Sequence, residues 1–150
     1  PSKINIVEQQ QIMSFHKLKR CWHSVEDLRW NQEIADIAQK YANECRFFRE
    51  SQDRYGESLA HGKNLDLIRT MDNWYMQFLQ FPYGSENGSE TTEEFSQMVW
   101  RLTTDIGCGI AICNGERLLK CLYATKGNIK GQYQRNVFPL KSDISKCGIF

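Results

Sequence analysis

The sequence predicts an α+β domain with helices layered on a small sheet, and three observations lead there. Apolar residues recur at helical spacing through the first two thirds of the chain. A single alternating hairpin pattern follows them, and six cysteines are spread over only 150 residues. Four helical segments followed by a hairpin favour an α+β or α/β/α layered arrangement. At this length one domain, residues 1–150, is expected.

The elements follow in order. Ile4, Val7, Ile12, Phe15 and Leu18 form one stripe and predict a helix from Ile4 to Arg20. Cys21 to Leu28 reads as a loop. Asn31 is placed to cap a second helix carrying Ile34, Ile37, Ala38, Tyr41, Ala42 and Cys45 on one face. Arg46 to Lys63 is polar and aperiodic and reads as loop with at most short ordered pieces. Met71, Trp74, Tyr75, Phe78 and Phe81 have helical spacing, which Pro82 ends. Thr91-x-x-Glu94 has the form of a capping box opening a helix through Phe95, Met98, Val99 and Leu102. Ile106 to Cys113, the Asn114-Gly115 turn and Arg117 to Thr125 read as a β-hairpin.

Composition excludes several roles. Nineteen basic against eighteen acidic residues leave a net charge of +1, without the basic excess of a nucleic-acid binder. No apolar run is long enough to span a bilayer. Pro1 to Gln11 lacks the apolar core of a signal peptide, so an exported protein would be represented here in its mature form. None of the six cysteines has zinc-finger spacing. An even set in a small domain points to three disulfides, and hence to a secreted, extracellular setting. Asn87-Gly88-Ser89 is a glycosylation sequon in a stretch with loop composition.

A series of short motifs, weak singly, occurs in a telling order. It comprises His16-x-x-x-Arg20, Leu28-Arg29-Trp30-Asn31, Ala38 to Cys45, Gly62-Lys63-Asn64-Leu65 and Trp74-Tyr75. Phe95-Ser96-Gln97-Met98-Val99-Trp100, Gly107-Cys108-Gly109, and Tyr123 with Gly127-Asn128 complete it. With these blocks the chain resembles the CAP superfamily of cysteine-rich secretory, venom-allergen-like and plant pathogenesis-related proteins, from about His16 to Asn128. Within it, the chain looks most like the venom-allergen-like proteins of invertebrates or parasitic worms. The resemblance implies a three-layer α/β/α sandwich around a small antiparallel sheet, and secretion. It also implies disulfides Cys45–Cys113 and Cys108–Cys121, leaving Cys21 and Cys147 to pair.

The resembling proteins hold two histidines and two glutamates in a cleft that can take a divalent metal. The corresponding positions are read here as Arg49, Lys63, Gln77 and Glu94. Arginine cannot ligate and lysine presents another cation, so no metal and no cofactor are expected. An ion-pair cluster of Arg49, Lys63 and Glu94 would replace the ion, while Glu94 also has an explanation in the capping box. The histidines His16, His23 and His61 have no evident nucleophile–base partner, and no Gly-x-Ser-x-Gly elbow occurs, so an enzyme is not expected.

The remaining functional feature is the aromatic run from Trp74 to Tyr83. Part of it must pack inward, but the resemblance nominates Trp74, Tyr75, Phe78, Phe81 and Tyr83 as a sterol-binding set, with aromatic faces suited to a rigid apolar body. Ile12 and Phe15 are candidates for a fatty-acid site and serve equally well as core. The expected function is that of a secreted, non-enzymatic lipid-binding protein for sterol and fatty acid, with a role in lipid export or host interaction. The alternative is a secreted effector or immunomodulator that binds an extracellular host protein through its loops.

Overall fold

The computed structural model describes residues 3–50 and 54–149, and two local devices start its first two helices. Asn5 and Glu8 form a reciprocal capping box at the start of α1 (Ile6–Trp22), their side chains bonding each other's backbone amides at 2.8 and 3.0 Å. Asn31 follows the two-residue strand β1 (Arg29–Trp30) and caps α2 (Gln32–Asn43) by accepting from the Ile34 amide at 3.2 Å. Strand β2 (Gly56–Gly62), helix α3 (Leu67–Met76), a 3₁₀ turn (Gln77–Gln80) and the short helix α4 (Glu93–Met98) come next. Strands β3 (Asp105–Cys113) and β4 (Glu116–Ala124) form the expected hairpin around Asn114-Gly115, both at positive φ.

The sheet order is β1-β3-β4-β2. Strands β3, β4 and β2 are antiparallel, with Cys108 opposite Cys121 and Ser58 opposite Cys121 on its other side, whereas β1 pairs parallel to β3. The sheet is therefore mixed at one edge rather than wholly antiparallel. Strand alternation sorts the side chains into two layers. Ile106, Cys108, Ile110, Leu119, Cys121 and Tyr123 face the main core, shared with α1, α3 and α4. Ala111, Cys113, Leu118 and Leu122 face α2 through Ile34, Ala38 and Ala42. This is the helix–sheet–helix layering expected.

Two glycines let α2 lie directly on the sheet. A methyl group at Gly107 would fall 2.2 Å from the Ala35 amide nitrogen, and one at Gly109 2.4 Å from that of Gln39. Backbone, which cannot swing aside, is the obstacle in both places. Gly109→Ala is accordingly expected to lower stability by about 2 kcal/mol through overpacking, measured by urea unfolding.

All three disulfides pair as the resemblance implied: Cys45–Cys113, Cys108–Cys121 and Cys21–Cys147. Two element expectations are corrected. Arg46 to Lys63 is not wholly loop, since it contains β2, which is held by seven register pairs to β4; residues 51–53 lie outside the described residues. The helix expected from Thr91 through Leu102 runs only from Glu93 to Met98, and Thr91 does not cap it. A 3₁₀ turn (Glu90–Thr92) precedes it, started by the Ser89 hydroxyl, which accepts from the Thr91 amide at 3.3 Å. No described helix is long and apolar enough to cross a membrane.

Candidate functional site

Two regions carry the predicted site residues. The first is a cleft of about 240 Å³ whose lining includes Arg49, Glu50, Tyr55, Glu57, Glu93 and Lys126. Arg49, on the segment that leaves α2, bridges to Glu93 at 3.2 Å and to Glu94, both in the first turn of α4. The other oxygen of Glu94 accepts from the Gln77 amide at 2.9 Å, and the Gln77 carbonyl in turn accepts from the Phe95 backbone amide at 3.0 Å. Gln77 thus does the capping expected of Glu94, and Glu94 turns outward to Arg49. Arg49, Gln77 and Glu94 are brought together; Lys63 is not. It is exposed beyond the end of β2 and enters no ion pair among the described residues.

Glu57 is one of the carboxylates that line the cleft, and sequence reasoning missed it. Gly56-Glu57-Ser58-Leu59 and Gly62-Lys63-Asn64-Leu65 share one form, a glycine followed by a charged residue, a polar residue and leucine. The sequence leaves these tied; in the fold Glu57 lines the cleft and Lys63 does not. Gly56 is also needed where it stands, because the Gln97 amide occupies the space of its missing side chain while its oxygen accepts from the Gly127 amide at 2.9 Å.

Glu50, Lys120 and Glu93 complete the cluster. The Lys120 side chain is fully buried, and its ammonium donates to the Phe48 carbonyl at 2.9 Å and to Glu50 at 3.1 Å. It lies 3.2 Å from Glu57 Oε2, an oxygen with no aligned hydrogen-bond donor. Glu50 also receives Arg46 at 2.5 Å, and its second contact with the neighbouring carboxylate runs through its own backbone amide, which donates to Glu57 Oε1 at 3.2 Å. Burial pushes both carboxyls up; hydrogen bonds from Lys120 and Arg46 more than reverse this for Glu50, whereas burial prevails for Glu57.

These residues do not fit a bound divalent metal. No His or Cys faces the cleft, and no group of three His, Cys, Asp or Glu side chains among the described residues is arranged to hold an ion. Each carboxylate that zinc would need already has a protein cation or amide against it.

The second region is the aromatic run. Trp74, Tyr75 and Phe81 are core residues, packed with Phe95 and Met98, because their helical spacing turns them to the interior. Phe78 is half-buried and stacks on Tyr75 at 4.9 Å between ring centroids, and Tyr83 packs edge-on to Phe81 at the same distance. The apolar side chains that reach solvent are Met76, Leu79 and Tyr83, exposed by 43%, 64% and 40%. The first two were missed because the sequence signal followed aromatics alone. Ile12 and Phe15 are likewise ordinary core, and an acyl chain there would have to displace packed side chains. Asn87 is exposed on the loop that follows, between Gly84 and Glu90.

The histidines are engaged elsewhere. His16 and His23 are fully buried, each between a backbone carbonyl and a tyrosine hydroxyl, and His61 pairs with Glu116 at 2.7 Å on the surface. None of the three lines the cleft.

Comparison with known proteins agrees with this geometry. The model of the cysteine-rich secretory protein (CAP) family matches residues 16–123. Protein PRY2 of Saccharomyces cerevisiae is 34% identical over 131 residues, covering 83% of this chain and 39% of that protein. Secreted protein RBT4 of Candida albicans is 33% identical over 132 residues, covering 81% and 36%. The chain thus spans less than half the length of these fungal relatives. The solved structure of Schistosoma mansoni venom allergen-like protein 4 superposes with a TM-score of 0.69 at 21% identity, over 91% of this chain and 95% of that one, which is a likeness of fold. The expected kinship with the venom-allergen-like branch stays at that level. With the family model covering most of the chain, and the layered sheet and helices in place, the chain belongs to the cysteine-rich secretory protein (CAP) family.

Proposed function

We propose that this chain is a secreted, non-catalytic lipid-binding domain that takes up a sterol at the apolar edge following α3. The observation that carries this reading is the exposure of Met76, Leu79 and Tyr83 above a fixed bed of aromatic rings. A rigid apolar ligand gains most from a rigid apolar surface, since little side-chain freedom is lost on binding. Three disulfides and a relative named as secreted support export. Asn87 is then an exposed acceptor for a glycan beside this edge. Among the described residues no nucleophile–base pair lines the cleft, which supports binding without chemistry; fatty acid is not included, because its candidate residues are core.

The test is binding of radiolabelled cholesterol. Leu79→Asp is expected to weaken it by about tenfold or more, from the loss of one buried leucine contact. Leu140→Asp, at an exposed apolar residue of the C-terminal segment, is expected to leave it unchanged. Failure of the unmodified protein to bind sterol, or equal loss in both variants, rejects the proposal. Retained binding to an extracellular protein by the Leu79→Asp variant would favour the effector reading instead.

A further inference from the structure

We infer that the ammonium of Lys120 is the resident cation of the buried Glu50–Glu57 pair behind the cleft, a charge carried on the chain itself that makes an external ion unnecessary there. Three oxygens converge on it: the Phe48 carbonyl at 2.9 Å, Glu50 Oε2 at 3.1 Å and Glu57 Oε2 at 3.2 Å. Two carboxylates and a carbonyl are the oxygen set that a hard cation such as calcium prefers. Here the positive charge arrives on strand β4 instead. The side chains of Lys120, Glu50 and Glu57 are 0%, 5% and 3% exposed, so water screens the cluster little. Glu57 depends on it most. Arg46 serves Glu50 as well, whereas Oε2 of Glu57 has only the ammonium facing it among the described residues.

A structural lysine of the ordinary kind would differ in two ways. It would extend its amine to water, and its loss would be repaired by any apolar side chain of similar volume. Lys120 does not reach water. A side chain without charge in its place leaves two buried carboxylates facing each other, an arrangement that favours either protonation or capture of a cation. The inference stands apart from lipid binding, which concerns the α3 edge.

Thermal unfolding of the whole chain tests it. The unmodified protein is expected to keep the same Tm in EDTA and in millimolar calcium. Lys120→Ala is expected to lose about 6–15 °C in EDTA, to regain at least half of that on adding calcium, and to bind calcium by titration calorimetry. Lys120→Met, which keeps the volume and removes the charge, is expected to be similarly destabilised and to recover when Glu57→Gln is added to it. If Lys120→Ala does not fold, the Met and Gln pair of variants decides the matter alone. A calcium-dependent Tm in the unmodified protein overturns the inference, as does a Lys120→Met variant of full stability. A double variant no more stable than Lys120→Met alone overturns it too.

Discussion

Replacing Arg20 with Met is expected to destabilise the fold by about 3–5 kcal/mol, the range for leaving buried polar partners uncompensated. Among the described residues its side chain, 1% exposed, donates only to backbone carbonyls: Glu26 at 2.5 Å, Met98 at 3.1 Å, Trp100 at 2.9 Å and Thr103 at 3.1 Å. Three of these lie at the end of α4 and in the turn leading to β3, past the reach of intrahelical bonds, although the Trp100 carbonyl also accepts from the Thr103 amide at 3.2 Å. The fourth belongs to the loop between α1 and β1. One guanidinium thus ties these two connections to each other, beyond the backbone bonds that each makes, such as Val25 to Arg20 and Arg101 to Asn136. Burial lowers its pKa to about 10, against the pull of Asp27, Tyr123 and Glu26, so it stays charged at neutral pH. Arg20→Lys keeps the charge but not the planar fork, and is expected to recover only part of the loss. Urea unfolding at pH 7 measures both. A Met variant within about 1 kcal/mol of the parent would show that the carbonyls find other partners.

Arg20 also marks how much was legible in the sequence. The block His16-x-x-x-Arg20 was visible as a motif, and α1 as a stripe, because both depend on local spacing. That Arg20 holds a turn about eighty residues later depends on tertiary approach, which spacing does not encode. Strand β2 was missed for a related reason. Gly56-Glu57-Ser58-Leu59-Ala60-His61-Gly62 has two glycines and no β-branched residue, so only its pairing with β4 makes it a strand. The cleft followed from the same error, since reading Lys63 in place of Glu57 put a cation where the fold has a carboxylate. One signal was available: Lys120 interrupts the apolar run from Leu118 to Leu122, and a lone charge on a buried strand needs a buried partner. In the aromatic run the helical period was legible, but which side chains reached solvent was set by Phe95 and Met98 arriving from α4.

Stability is expected to fall by about 3 kcal/mol or more as pH drops from 6.5 towards 4, because two histidines are folded in the neutral state. Burial takes His16 from 6.5 to about 4; the Ile12 carbonyl opposes this and the nearby Arg20 charge assists it. His23 is lowered for the same first reason, with the Phe138 carbonyl opposing and Lys19 assisting. The geometry explains why neither gains by protonation. Each Nδ1–H donates to a carbonyl, Ile12 at 2.8 Å and Phe138 at 2.7 Å. Each Nε2 is then left to accept from a tyrosine hydroxyl, Tyr123 at 2.8 Å and Tyr75 at 2.9 Å. A second ring proton would force that hydroxyl to turn its own proton elsewhere, and would place a charge in a site that burial keeps from water. The unfolded chain takes up protons below its ordinary histidine pKa while the folded chain does not, so acid favours unfolding through this window and stops adding to it below about 4. Glu50 and Asp105, held below the usual carboxylate range, lose their contribution only at lower pH, and Glu57, raised by burial, acts in the opposite direction. Because Glu57 titrates in both proteins, the difference in slope between the parent and a variant without His16 isolates that histidine between pH 6.5 and 5. Urea unfolding across that interval should give a falling line for the parent and a flatter one for His16→Gln, which starts lower at pH 7 because its contacts to Ile12 and Tyr123 are imperfectly replaced. Equal slopes for the two proteins would mean that His16 takes up its proton in the folded state.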